Sequence, residues 1–373
     1  MNPSSTNKNS VCFVHDWLVA MRGGEKVLEA MTEIFPDAPI YTLFYKKEKL
    51  SPALQQKDIR ASFLQYIPGI HQFYRYLLPL FPLAIRFINV KNYHLVISSS
   101  HCVAKAVAIN PSATHVCYCH TPMRYLWGFQ EEYFGNLPRL IKKIINVYFK
   151  YLKKWDVKNS KGVDRFIANS QNTANKIKSL YGKEASVIHA PVDQIPQSVV
   201  CSEGEYYLLV SALVHYKRVD LAIEAFNRLR LPLKIIGDGP LKSTLQKMTQ
   251  YPGIGFEGWV NQQTLWDRYS KCLALIFPGE EDFGIVPLEA QMFGKPVIAF
   301  GRGGVTESVI PISELHPLSE STGIFFNEPT AEALVRAIEK MKDVSFNSQF
   351  IRSHAEQFTI SRFKKKIASF LAQ

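Results

Sequence analysis

Residues 274–307 read Ala-Leu-Ile-Phe-Pro-Gly-Glu-Glu-Asp-Phe-Gly-Ile-Val-Pro-Leu-Glu-Ala-Gln-Met-Phe-Gly-Lys-Pro-Val-Ile-Ala-Phe-Gly-Arg-Gly-Gly-Val-Thr-Glu. The apolar run ending at Phe277 has the unbroken character of a strand buried on both faces, as parallel sheets require. Pro278 and Gly279 end it, and a loop follows with Glu280, Glu281, Asp282, Phe283 and Gly284. Pro287 suits the first position of a short helix, where no N–H is needed. Gly294 and Pro296 stop that helix. Val297 to Phe300 is a second buried strand, and Gly301 to Gly304 another tight turn. The spacing therefore predicts one strand–loop–helix–strand unit, with Glu281 in the loop and Glu289 in the first helical turn.

A helix start offers unpaired N–H groups and the positive end of a dipole, a natural seat for phosphate. Ionised Glu281 and Glu289 only accept hydrogen bonds, so they suit sugar and ribose hydroxyls. Gly284 lets backbone approach a ligand closely. A second reading makes Glu289 a mere complement to the helix dipole. It is not part of a capping box, because Val286 stands where Ser, Thr, Asp or Asn would be needed. On these residues alone the two readings are level.

Glu281 and Glu289, with seven residues between them in Glu-Asp-Phe-Gly-Ile-Val-Pro-Leu-Glu-Ala, and the following Gly303-Gly304-x-x-Glu307, resemble the signature of family 4 retaining glycosyltransferases. The resemblance implies the α/β GT-B fold, two facing Rossmann-like domains with parallel doubly wound sheets and a cleft between them. It implies that Glu289 accepts from the ribose hydroxyls of a nucleotide-sugar donor and that Glu281 holds hydroxyls of the transferred sugar. Backbone near Phe283, Gly284 and Ile285 would face sugar and phosphate.

The 373 residues suit two domains better than one core. No window has ~18 uninterrupted apolar residues, so nothing is expected to span a membrane. Residues 1–10 are polar, without the apolar core of a signal peptide, and read as a short disordered lead. Six scattered cysteines show no disulfide framework, which points to a reduced, cytoplasmic protein. The net charge of +12 fits nucleic acid, an anionic membrane surface or phosphorylated substrates.

Upstream, Val11 to His15 reads as a strand feeding Gly23-Gly24 at the start of a helix over 25–35. That is either another phosphate seat or simply a helix start; G-x-G-x-x-G spacing is absent, so it is no dinucleotide fingerprint. The resemblance places the backbone of Gly23 and Gly24 against the donor diphosphate. Residues 63–95 interleave aromatics with Arg75, Arg86 and Lys91 and are broken by Pro68, Pro79 and Pro82. They suit a membrane interface, a base-stacking platform or an irregular helical excursion packed on the domain. A strand over 115–118 runs into Cys117-Tyr118-Cys119-His120-Thr121-Pro122. Zinc is rejected there because no second ligand pair appears at zinc spacing. The strand instead delivers His120 to its carboxyl end, where open α/β sheets bind ligands, and His-x-Pro resembles the family's active-site histidine. The helix over 139–158 has an apolar stripe and many lysines, either a solvated face or a membrane-surface element.

A polar stretch after Asp193 marks the linker, giving domains at 1–196 and 197–349, with the last helix (350–373) returning to the first by resemblance. In the second domain Lys217 follows the first strand, where a cation can reach a phosphate; a surface lysine is the plainer alternative. Arg218 is adjacent. The family usually carries arginine a few residues earlier, where this chain has Ser211-Ala212.

The resulting expectation is a retaining hexosyltransferase with catalytic His120, Glu281 and Lys217. The donor would be bound by Gly23, Gly24, Lys217, Arg218, Glu281, Phe283, Gly284, Ile285 and Glu289. The wording of Gly-Gly-Glu-Lys-Val-Leu-Glu-Ala and His-Thr-Pro-Met-Arg-Tyr-Leu-Trp is similar to bacterial polysaccharide (O-antigen or capsule) mannosyltransferases. That implies GDP-mannose, a lipid-linked glycan acceptor and peripheral contact with an anionic membrane. With no Asp-x-Asp pair, neither metal nor other cofactor is expected. Rival readings are a GT-B nucleotide-sugar epimerase and a non-catalytic nucleotide-sugar or glycan binder. Nucleic-acid binding rests on charge alone and is not expected.

Overall fold

The protein is described from a computed structural model covering residues 11–128, 138–195, 201–202, 204–315 and 317–373. The expected disordered lead at 1–10 and the expected boundary at 196/197 lie outside the described residues. Contacts divide the chain into unit 1, Met1–Ala190 with Phe363–Gln373, and unit 2, Pro191–Arg362.

Unit 1 is built on seven parallel strands: β1 (Val11–His15), β2 (Ile40–Thr42), β3 (Ile59–Ala61), β4 (Leu95–Ser100), β5 (Thr114–Cys119), β6 (Arg165–Ala168) and β7 (Ala185–Val187), ordered 3-2-1-4-5-6-7. Helix α1 (Gly23–Thr32) follows β1, α2 spans Arg139–Ser160 and α3 spans Gln171–Tyr181. One face of the sheet packs Val14, Phe44, Leu64, Phe81, Val96 and Leu126 into a single core. Residues 63–86 are short helical turns, because Gly69, Pro79 and Pro82 interrupt any longer run. Leu64, Ile70, Phe81 and Ile85 point into the core, while Tyr66, Tyr76 and Phe87 are exposed. The packed-excursion reading describes the first set; the second set is left at the surface.

Unit 2 repeats the plan with β8 (Tyr206–Val210), β9 (Leu233–Ile236), β10 (Ile254–Gly258), β11 (Cys272–Phe277), β12 (Val297–Phe300) and β13 (Gly323–Phe326), ordered 10-9-8-11-12-13. Its helices include α4 (Val219–Leu229), α5 (Lys242–Met248), α6 (Gln262–Ser270), α7 (Ile285–Met292), α8 (Ala331–Lys342) and α9 (Ser348–Ala355). The last helix, α10 (Ile360–Leu371), buries Phe363, Ile367 and Phe370. Phe363 stacks edge-on against Tyr118, and Arg165 lies over the Phe370 ring.

Both sheets are doubly wound, the architecture of the GT-B class. In such sheets ligands sit beyond the carboxyl ends of the strands, where the winding direction reverses. The reversals fall between β1 and β4 and between β8 and β11. Those two places are where functional side chains should be sought.

Candidate functional site

At the unit 2 reversal the loop after β11 closes on the loop after β8. A Cβ on Gly279 would lie 2.7 Å from the Tyr216 carbonyl oxygen and 2.8 Å from Lys217 Cα, so only glycine allows this approach. Across the junction the Lys217 ammonium pairs with the Glu281 carboxylate, both side chains more than four-fifths shielded. The Glu281 loop is held from behind by the turn after β12. Gly304 N–H donates to the Glu281 carbonyl at 2.8 Å. A Cβ on Gly304 would stand 2.1 Å from the Asp282 carbonyl oxygen, and Gly303 adopts φ 76°. The Gly-Gly pair is thus a spacing requirement that fixes the position of Glu281.

Helix α7 begins at Ile285, two residues before the expected Pro287, because Gly284 at φ 83° turns the chain into the helix at once. Pro287 is tolerated at the third position, where its missing N–H would have had no intrahelical partner. Glu289 therefore lies beyond the first turn, which holds no acidic residue. That corrects the expected placement and weakens the dipole reading, since the dipole effect fades within one turn. What Glu289 does meet is Tyr269, whose hydroxyl donates to Oε2 at 2.8 Å. Burial, and then the neighbouring Glu289 charge, push the Tyr269 phenol well above its ordinary range, so it stays a donor. Glu289 and Tyr269 line a small cavity with Asp193, Gln262 and Trp266.

Arg218 is not brought to this cluster. It sits at φ 50° before α4, and its guanidinium meets the Asp220 carboxylate at 3.2 Å. Phe283 is buried against Phe358, leaving its backbone and that of Gly284 and Ile285 at the helix start.

In unit 1 Gly23 and Gly24 open α1. Glu25 caps the helix start by accepting the Arg22 N–H at 3.1 Å, and burial raises its carboxyl to about 7. A Cβ on Gly24 would lie 3.6 Å from His120 Nε2 and 3.8 Å from His15 Cε1. The helix start thus faces two imidazoles. His120 follows β5, its ring braced 5.2 Å from that of Tyr118 and its Nε2 2.8 Å from Ser99 Oγ. His101 completes a triangle of histidine rings 6.1–6.5 Å apart. Asp16 anchors this edge by accepting four backbone N–H groups, from His101 to Ala104, at 2.7–2.8 Å. His15, Asp16, Ser99 and His101 were missed in the sequence. Each lies at or just past the carboxyl end of β1 or β4, so the strand order is the signal that finds them. Cys117 and Cys119 lie inside β5, and burial pushes the Cys117 thiol up to about 12. No cluster of His, Cys, Asp and Glu suited to a metal ion occurs among the described residues.

Two family profiles match the chain. Glycosyltransferase Family 4 matches residues 40–194, and Glycosyl transferases group 1 matches residues 193–357, the part carrying Glu281 and Glu289. The chain belongs to the family 4 glycosyltransferases. O-antigen chain mannosyltransferase C of Escherichia coli is 30% identical over 137 residues, 33% of this chain and 37% of that protein. Alpha-1,3/1,6-mannosyltransferase ALG2 of Candida glabrata is 22% identical over 304 residues, 67% of this chain and 64% of that protein. The chain thus spans less than two thirds of the length of either relative. The solved structure of HepE from Anabaena, in complex with UDP and glucose, superposes with a TM-score of 0.69 over 97% of this chain and 99% of that one. At 15% identity that likeness speaks for the fold alone.

Proposed function

We propose that this family 4 chain is a retaining, metal-independent hexosyltransferase that moves mannose from GDP-mannose to a lipid-linked glycan in polysaccharide synthesis. The observation that carries the reading is the unit 2 reversal, where the Lys217–Glu281 pair stands in the loops at the strand ends and the second of these loops leads into α7, the helix that carries Glu289 bonded to Tyr269. Relatives named as mannosyltransferases support the sugar. Glu289, with Tyr269 occupying one oxygen, accepts from ribose hydroxyls, and Glu281 accepts from hydroxyls of the sugar. Lys217 and the helix-start N–H groups stabilise charge that grows on the leaving diphosphate, a term worth several kcal/mol in such sites. In unit 1 the backbone of Gly23 and Gly24 is assigned to phosphate and His120 to sugar. The bond from the anomeric carbon to phosphate breaks as the acceptor oxygen attacks the same face, and the acceptor proton passes to the leaving phosphate.

The same reading places the chain in the cytoplasm, against an anionic membrane that holds the acceptor. Among the described residues no helix is long and apolar enough to cross a membrane. Tyr66, Tyr76 and Phe87 are exposed, as are Ile144, Val147 and Tyr151 on α2, which also carries Lys142, Lys143, Lys150 and Lys154. Tyr148 of α2 donates to the Pro79 carbonyl at 3.4 Å, linking the two segments. The test incubates labelled GDP-mannose with a lipid-linked glycan fraction, with and without EDTA. An α-mannosylated lipid product that is insensitive to EDTA supports the reading; mannose release or epimerisation without an acceptor product refutes it. Sedimentation with anionic vesicles tests the membrane contact separately, and Ile144→Ser with Val147→Ser should abolish the co-sedimentation.

A further inference from the structure

His15 and Ser99 are register partners in β1 and β4, and Tyr118 of β5 pairs with Ser99. Side chains alternate along a strand, so His15, Ser99, Tyr118 and His120 project to one face at the carboxyl edge of three adjacent strands. Ser99 Oγ lies 3.0 Å from His15 Nδ1 and 2.8 Å from His120 Nε2. A hydroxyl has one proton, so it can donate to only one of the two imidazoles, and the other must donate to it. The two rings therefore exchange information through Ser99. If His120 carries its proton on Nε2 and donates it to Ser99, the hydroxyl proton is left for Nδ1 of His15, which then holds its own proton on Nε2. The opposite arrangement reverses all three.

His15 is fully buried, and its Nε2 has no hydrogen-bond partner among the described residues. Leaving that atom unsatisfied opposes folding, and an apolar side chain would fill the space without the penalty. Stability does not explain an imidazole at this position, whereas its bond to Ser99 does.

We propose that His15 and Ser99 are positioning residues for His120, fixing through the shared hydroxyl both its ring plane and the nitrogen that carries its proton. This deepens the assignment of His120 to the transferred sugar, because a hydrogen bond to a hydroxyl needs a defined donor or acceptor nitrogen.

The test uses nitrogen-15 imidazole spectra of the full chain labelled at histidine, with no ligand added. His120 is assigned by the resonances lost in His120→Gln. The expected result is one tautomer of His120 in the native protein and a mixture in Ser99→Ala, with Ser99→Thr restoring one tautomer because it keeps the hydroxyl. His15→Phe keeps an aromatic ring but lacks Nδ1 and should resemble Ser99→Ala. Thermal unfolding confirms which variants fold, and either altered arm suffices. A tautomer mixture already present in the native protein overturns the proposal, as does an unchanged His120 signal in the folded variants. The spectra need neither donor nor acceptor, so their outcome is separate from that of the GDP-mannose assay.

Discussion

Lys217 and Glu281 satisfy one another in a largely shielded crevice. If Lys217 stabilises the leaving diphosphate, Lys217→Ala should lower kcat by roughly 10²–10³-fold, the range for loss of one preorganised charge-stabilising group. Steady-state transfer kinetics measure it, and a change confined to KM would assign Lys217 to ground-state binding instead. A second residue-scale prediction concerns acid. Burial lowers His15 to about 3 and His115 to about 4, so both stay neutral in the fold while the unfolded chain takes up protons below about 6.5. Their contribution to stability is therefore lost as pH falls from about 6.5 toward 4. Glu25, raised to about 7 by burial, acts in the opposite sense: between about 4.5 and 7 the folded state holds the extra proton. Glu25→Gln should steepen the acid-side loss by about 1.4 kcal/mol per pH unit between pH 5 and 6.5, read from urea unfolding. Glu281 and Glu289 were legible in the sequence because they lie eight positions apart in one local unit. The Ser99 link was not, because its partner His15 lies 84 positions away and only sheet order brings them together.

Elements were read best where an apolar run stood between clear stops. The expected limits of the strands at 11–15 and 297–300 coincide with those of β1 and β12. The short strands β2 and β3, each three residues, offered too little pattern to be named. The start of α7 was misplaced because proline at the third helical position is as acceptable as at the first, and the deciding feature is the positive φ of Gly284. Helix α2 shows what periodicity conceals. Its Asp156 looks like another charge among lysines, yet it is buried and paired with Lys105 at 2.6 Å. Trp127 and Tyr181 also donate to it, at 2.8 and 2.7 Å. Lys105→Met strands that carboxylate and should destabilise unit 1 by about 3–5 kcal/mol, with Lys105→Met/Asp156→Leu recovering much of the loss. Denaturant melts of the two variants check this.

For the whole molecule, the chain's return to unit 1 has a mechanical consequence. Phe363, Ile367 and Phe370 bury their side chains there, and Phe363 packs on Tyr118, which braces His120. Truncation after Arg362 should destabilise unit 1 by about 5–9 kcal/mol, at ~1.5–3 kcal/mol per buried side chain. Calorimetry should show the unit 1 transition falling while nucleotide binding by unit 2 persists. The repeated doubly wound plan was readable from alternating strands and helices. Sequence spacing did not reveal that both sheets reverse beside the candidate residues, because strand order is a property of the folded chain.

The most direct test of the nucleotide-sugar site is thermal unfolding with GDP, UDP, dTDP and ADP, with and without EDTA, on the native chain and on Glu289→Ala. GDP at about 100 times its dissociation constant should add roughly 2.7 kcal/mol. The account predicts an upward shift with GDP that EDTA leaves in place and Glu289→Ala removes. A shift equal in native chain and variant, or none with any nucleotide, would contradict it.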